Sequence, residues 1–70
     1  MKYSITIAGM PDREKLAAEI WNENNRMIAE INQENEYLEL EIYFSKKDVL
    51  KLDYEEFLSA LQEGKKKLLG

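Results

Sequence analysis

The chain has 70 residues, of which 14 are acidic and 10 are basic, so its formal net charge at pH 7 is −4. This length predicts a single small domain spanning residues 1–70. The sequence contains no cysteine and no histidine, which excludes disulfides and removes the usual general base, thiol nucleophile and structural zinc ligands. We therefore expect a non-enzymatic domain with no cofactor and no metal site.

The acidic balance also bears on partners and location. A net negative charge disfavours direct nucleic-acid binding, because the phosphate backbone is itself negative, and it suits a basic protein partner. No apolar run has the length of a membrane span or the form of a signal-peptide core. The sequence therefore predicts a cytoplasmic protein that does not enter a membrane, in keeping with its lack of cysteine.

The first predicted element is a β-strand over Tyr3–Ile7. Apolar and polar residues alternate there, and β-branched and aromatic types dominate, which is typical of a strand with one buried side. The segment Gly9-Met10-Pro11-Asp12 should end this strand, since glycine permits unusual φ values and proline removes a backbone donor.

The middle of the chain contains an 11-residue repeat. Ala18-Glu19-Ile20-Trp21 is echoed by Ala29-Glu30-Ile31-Asn32, and Leu40-Glu41-Ile42-Tyr43 begins a third copy. Strands of about eight residues joined by short turns match this period. Asn24-Asn25 suits a two-residue turn because asparagine tolerates positive φ, and we place a second turn at Asn35-Glu36. The repeat thus predicts three antiparallel strands.

A long helix is the alternative for the first part of this stretch. Three helical turns also take about 11 residues, and apolar residues at helical spacing run from Leu16 to Ile31. This alternative gives a β-α-β-α chain with a helix at 12–33. The meander is favoured because five asparagines, which prefer turns, lie between positions 22 and 35, and because Leu38–Ile42 alternates strictly.

Pairing the strands through the two predicted turns sorts their side chains onto two faces. The apolar face should be the core, and its predicted members are Leu16, Ala18, Ile20, Met27, Ala29, Ile31, Leu38, Leu40, Ile42 and Phe44. The opposite face should carry a row of glutamates, Glu19, Glu30 and Glu41, beside a row formed by Trp21, Ile28 and Tyr43. Glu23 and Arg26 should face each other beside the first turn.

The strongest local signal for a helix lies near the end of the chain. Asp53 is a good N-cap, Glu56 is placed to complete a capping box, and the apolar residues that follow recur at helical spacing. The sequence predicts a helix from about Tyr54 to Lys67 and leaves open whether it continues past Gly64. Packed on the apolar sheet face, this helix completes an α+β fold: an antiparallel β-meander of about four strands in ββββα order.

The uncovered sheet face is the candidate binding site. Exposed tryptophan and tyrosine beside charged residues are typical of protein interfaces. The predicted partner-binding residues are Trp21, Ile28, Tyr43, Glu19, Glu30, Glu41, Glu23 and Arg26. We expect a protein-binding module for a basic partner, with the charge and size of a small acidic inhibitor or immunity-type protein. A homodimer through the same face is the alternative.

Overall fold

The computed structural model describes residues 2–9, 15–43 and 50–70. In these ranges the chain forms β1 (Ser4–Ala8), β2 (Ala17–Trp21), β3 (Met27–Asn32), β4 (Glu39–Ile42) and the helix α1 (Tyr54–Leu69). The strands make one antiparallel sheet in the order β1-β2-β3-β4. The predicted ββββα meander is confirmed. The alternative helix at 12–33 is wrong, because the strands β2 and β3 lie within that range.

The pairing of β2, β3 and β4 follows the repeat. Glu19 pairs with Glu30 and Glu30 pairs with Glu41, so the equivalent glutamates of the three copies lie side by side. Adjacent strands that pair at equivalent positions place those side chains on the same face. The 11-residue period is therefore the spacing from one strand to the next.

The first hairpin departs from the predicted register at its turn end. Trp21 pairs with Met27 instead of Ile28, and the register shifts between Ile20 and Trp21 before Ile20 pairs with Ala29 as predicted. One strand thus carries an extra residue, which is a β-bulge. The bulge matters for the candidate site because it interrupts the alternation of side chains at Ile28.

The core lies between the sheet and α1. The buried residues of this cluster are Ala18, Ile20, Ile28, Ala29, Ile31 and Ala60, and Tyr3, Ile5, Ile7, Leu52, Phe57, Leu61 and Leu68 pack against them. The rings of Tyr3 and Phe57 meet edge to face, with centroids 5.8 Å apart, which joins the start of β1 to the start of α1.

The predicted N-cap of the helix is confirmed. The Asp53 side chain accepts a hydrogen bond from the backbone N–H of Glu56 at 3.0 Å. The helix continues past Gly64, which is buried against the sheet. A Cβ at this position would lie 3.0 Å from Cδ1 of Ile31, so glycine permits the close approach of α1 to the sheet.

Part of the predicted core is wrong. Leu16, Leu38, Leu40 and Ile42 are exposed, and Met27 is half-buried. The reason at β4 is geometric: α1 packs on β1, β2 and β3 but not on β4. A helix is about 10 Å across and strands are about 4.8 Å apart, so one helix cannot cover four strands. The predicted core position Phe44 and the break at 10–12 lie outside the described residues.

Candidate functional site on the acidic sheet face

The sheet face away from α1 carries the three glutamates of the repeat. Glu19 pairs with Glu30 and Glu30 pairs with Glu41, so the three side chains form one row across β2, β3 and β4. We call these three residues the acidic row. Directly opposite residues on paired strands have Cβ atoms about 5 Å apart, so the row is about 10 Å long.

Each carboxylate of the acidic row accepts a hydrogen bond from the side chain two residues further along the chain. Trp21 Nε1–H donates to Glu19 at 3.2 Å, Asn32 Nδ2–H donates to Glu30 at 3.1 Å, and the Tyr43 hydroxyl donates to Glu41 at 2.7 Å. Residues two apart in a strand point to the same face, so the unit Glu-Ile-X builds one acceptor and one donor per strand when X is Trp, Asn or Tyr.

These hydrogen bonds orient carboxylates that would otherwise repel one another. Sequence reasoning treated Trp21 and Tyr43 as apolar anchors and gave Asn32 no role. The signal was present in the repeat, because the residue after each Glu-Ile pair is always a side-chain donor.

Burial divides the acidic row into a centre and two flanks. Glu30 is 2% exposed and Asn32 is fully buried, whereas Glu19 and Glu41 are half-buried. The expectation that Glu30 is directly accessible is therefore corrected. Its strand lies between β2 and β4, and Glu19 and Glu41 flank it in the row. Buried side-chain nitrogen and oxygen atoms in the described part of the chain all have hydrogen-bond partners.

Ile28 does not lie with Trp21 and Tyr43 on the acidic sheet face. It is 4% exposed, belongs to the core cluster and lines a depression with Tyr3 and Leu52. The physical reason is the bulge, which breaks the strict alternation from which its face was predicted. The aromatic part of the site is therefore Trp21, half-buried, and Tyr43, 37% exposed.

Glu23 and Arg26 lie in the exposed turn that follows β2. They do not face each other as predicted, because the backbone N–H of Asn22 donates to the Arg26 carbonyl at 2.9 Å and leaves a three-residue turn. The Asn22 side-chain oxygen accepts the N–H groups of Asn24 and Arg26 at 2.9 and 3.0 Å. Asn25 adopts a φ of 63°, a left-handed conformation that asparagine tolerates.

A fourth glutamate extends the acidic face along β4. Glu39 pairs with Asn32 of β3 and so lies on the same face as the acidic row. Asn35 donates a side-chain hydrogen bond to Glu39 at 2.7 Å, and the Tyr37 hydroxyl lies 3.5 Å from the same oxygen. The β3–β4 connection thus supplies donors to this carboxylate, as Tyr43 does to Glu41.

The other side of β4 is an exposed apolar surface that sequence reasoning missed. Leu40 is 43% exposed and Ile42 is 38% exposed, and Leu38, just before the strand, is exposed to the same degree. We call these three residues the β4 apolar strip. Glu39 and Glu41 of the same strand are half-buried. This strand therefore offers its apolar side chains to solvent at least as fully as its carboxylates.

The acidic row is unlike a metal centre. Across the ranges 2–9, 15–43 and 50–70, no group of three or more acidic, histidine or cysteine side chains is arranged to hold a metal ion. A hard cation needs several oxygens converging at about 2.3–2.6 Å, whereas a row on a sheet spreads its carboxylates along a line. Nor is any helix in the described part of the chain long and apolar enough to cross a membrane.

The chain matches no protein-family model, no curated protein and no solved structure. Any role for the acidic row and the β4 apolar strip must therefore be inferred from their geometry and charge.

Proposed function

We propose that this chain is a non-enzymatic protein-binding module that engages a basic partner through its acidic sheet face. The observation that carries this proposal is the acidic row, in which Glu19, Glu30 and Glu41 lie directly beside one another on three strands. Like charges directly opposite each other destabilise a sheet. The row persists in spite of this cost, and each of its glutamates accepts a side-chain hydrogen bond. We infer that its concentrated negative charge serves to bind a positively charged partner.

The accessible members of the face define its contacts. Glu19 and Glu41 at the flanks are half-buried and present carboxylate oxygens to a partner. Arginine suits this role best, since its guanidinium binds carboxylates with two parallel hydrogen bonds. Trp21 and Tyr43 lie beside these carboxylates and add large rings of the type that dominates binding energy at interfaces. Glu30 contributes its charge from the centre of the row.

Self-association through this face has less support. Two copies that meet face to face would bring one acidic row against another, and like charges held close across an interface cost roughly several kcal/mol. The net charge of −4 adds a longer-range repulsion between copies. The same charge attracts a basic protein and accelerates its association. A small acidic inhibitor of a basic protein fits these properties.

The test compares two double variants of equal charge. Glu19→Gln with Glu41→Gln neutralises the flanks of the acidic row. Glu36→Gln with Glu55→Gln removes the same charge from exposed positions elsewhere. The immobilised chain captures partners from an extract of the source cell, and association rates of the purified partner are then measured at two salt concentrations.

The row variant should lower the association rate by about tenfold and weaken its salt dependence, while the control variant changes both much less. Equal losses in the two variants would mean that overall charge, rather than the acidic row, drives binding. A captured partner that is itself acidic would contradict the proposal.

A further inference from the structure

β4 is an edge strand that lacks several of the usual protections of an edge. It is the last strand of the order β1-β2-β3-β4, and β3 is its partner among the described residues. Proteins blunt sheet edges with lysine, proline, a bulge or a covering helix, because unpaired N–H and C=O groups invite pairing with another chain. β4 reads Glu-Leu-Glu-Ile, pairs without a bulge and is not covered by α1.

The backbone direction of β4 identifies the groups that face outward. The N–H of Tyr43 donates to the carbonyl of Ile28 on β3 at 2.9 Å. Inward and outward groups alternate along an antiparallel strand, so Glu39 and Glu41 also direct their N–H and C=O groups toward β3. The N–H and C=O groups of Leu40 and Ile42 therefore point away from the sheet, toward any strand added at this edge.

The two sides of β4 define the side chains that such a strand needs. Leu40 and Ile42, paired with core strand β3 but 43% and 38% exposed, offer apolar contact on the α1 side. Glu39 and Glu41 offer carboxylates on the other side, continuous with the acidic row. A strand beside β4 places successive side chains alternately on these two sides. Apolar residues alternating with lysine or arginine complement both at once.

We propose that β4 binds an extended segment of the partner as a fifth strand of the sheet, and that this segment alternates apolar and basic residues. Main-chain hydrogen bonds to Leu40 and Ile42 supply affinity, and the alternating side chains supply specificity, as in other cases of strand addition. This inference rests on the proposed function, because it assigns a binding mode to the basic partner of the acidic face.

A second copy of this chain is a poor occupant of the same edge. Residues directly opposite on antiparallel strands share a face. Pairing β4 with β4 of another copy therefore places Glu39 opposite Glu41 of that copy, or Glu41 opposite Glu41. Like charges directly opposite one another are destabilising, whereas a lysine or arginine in that place is favourable. Charge thus selects a basic strand over self-pairing.

The test uses a defined peptide, acetylated and amidated, in which four lysines alternate with three valines, carrying a fluorescent label. Binding to the whole chain is followed by fluorescence anisotropy. A comparison peptide has the same composition with its lysines clustered in one half. Two further peptides carry N-methyl groups, one on every valine and the other on the internal lysines. Successive N–H groups of a strand point to opposite edges, so each of these peptides loses hydrogen bonding along one edge only.

If β4 accepts a strand, the alternating peptide should bind at least about tenfold more tightly than the clustered peptide. One N-methylated peptide should lose binding and the other should keep it, because a strand pairs with β4 through one of its two edges. In nuclear magnetic resonance, amide exchange at Leu40 and Ile42 should slow on binding. Exchange at Glu41, which already faces β3, should change little.

A pair of chain variants provides a second control. Leu40→Pro removes the outward N–H without removing a bond to β3, since proline is tolerated on edge strands whose N–H faces solvent. Leu40→Ala shortens the side chain but keeps the N–H. Once circular dichroism shows that both fold, the proline variant should bind the alternating peptide at least several-fold more weakly than the alanine variant.

Three outcomes would overturn strand addition. Equal binding of both N-methylated peptides, with amide changes centred on Glu19 and Trp21, would leave the proposed function intact while excluding β4 as the site. A dimer in sedimentation analysis, with Leu40 and Ile42 amides protected without peptide, would assign the edge to a second copy. Absence of binding by every peptide to a monomeric chain would also contradict it. The proposed function itself is tested separately, by the association rates of the Glu19→Gln, Glu41→Gln double variant.

Discussion

Gly64 of α1 packs directly against Ile31 of β3, where a Cβ on residue 64 would stand 3.0 Å from Ile31 Cδ1. The same atom would lie 3.6 Å from the Cβ of Ala18 and 3.9 Å from Cγ2 of Ile5. Ala60, one turn earlier, is fully buried as well. Small residues on the helix and on β2 thus allow a close approach, and this approach centres α1 on β1, β2 and β3.

Substitution of Gly64 tests this contact. Gly64→Val inserts a branched side chain into occupied space, so we expect it to lower the free energy of unfolding by about 1–3 kcal/mol. Gly64→Ala should change stability by less than about 1 kcal/mol, because a gain in helix propensity of about that size offsets the tight contact with Ile31. Urea unfolding measures both variants. Wild-type stability of Gly64→Val would contradict the close packing.

The donor to the buried member of the acidic row should matter for stability. Asn32 is buried and donates to Glu30 at 3.1 Å. Asn32→Ala removes a hydrogen bond from a buried carboxylate, so the free energy of unfolding should fall by about 1–3 kcal/mol. Asn35→Ala is the matched control, since Asn35 also donates to a glutamate but is exposed. Thermal unfolding measures both variants, and the free energy of unfolding of the control should differ from that of the wild type by about half a kcal/mol or less.

Large-to-small substitutions locate the core within the apolar sheet face. Ile20→Ala should lower the free energy of unfolding by about 2–5 kcal/mol, because the Ile20 side chain is fully buried and its removal leaves a cavity. Leu40→Ala should cost about 1 kcal/mol or less, because that side chain is 43% exposed. Chemical denaturation compares the two. Equal, large costs would show that a covering element shields β4 in solution.

The N-cap should make stability fall in acid. The backbone N–H of Glu56, and secondarily the charge of Lys2, lower the pKa of the Asp53 carboxyl below its ordinary value of 3.8. Because the folded-state pKa is depressed, the stabilisation is fully present above the unfolded pKa and is lost as the pH falls through the folded pKa. Asp53→Asn keeps a capping side chain but removes the charge.

The melting temperatures of wild type and Asp53→Asn should therefore differ at neutral pH and begin to converge below about pH 4, the ordinary aspartate pKa. Convergence should be complete only when the pH falls below the depressed folded-state pKa of Asp53. Differential scanning calorimetry from neutral to acidic pH measures the convergence. A difference between the two proteins that widens in acid would contradict the assigned sign of the pKa shift.

Much of the sheet was predictable because its signals are local. The repeat aligns Ile20 with Ala29 and Ala29 with Ile42, as observed. The prediction failed at Trp21, which pairs with Met27. Two-residue and three-residue turns are both compatible with consecutive asparagines, and the bulge that follows restores the register. Local sequence therefore predicted the pairing of the strands but missed the bulge that redirects Ile28.

The acidic row was predictable for the same reason, but its burial and hydrogen bonds were not. Period-two alternation alone is enough to place Glu19, Glu30 and Glu41 on one face. Which of them stays accessible depends on neighbours distant in sequence, and so Glu30 was wrongly expected to be open. The donors Trp21, Asn32 and Tyr43 occupy a fixed position in the repeat, yet hydrogen bonding between side chains also requires rotamers that sequence does not specify.

By itself the sequence determined the order of elements, the pairing of the three repeat glutamates and the N-cap of the helix at Asp53. Alternation, turn residues and capping act over a few residues, so these features can be read without the fold. Only the tertiary structure decided which strands α1 covers. That choice depends on the close approach of Gly64 to Ile31 and on the width of a single helix, which leaves Leu40 and Ile42 exposed at the edge of the sheet.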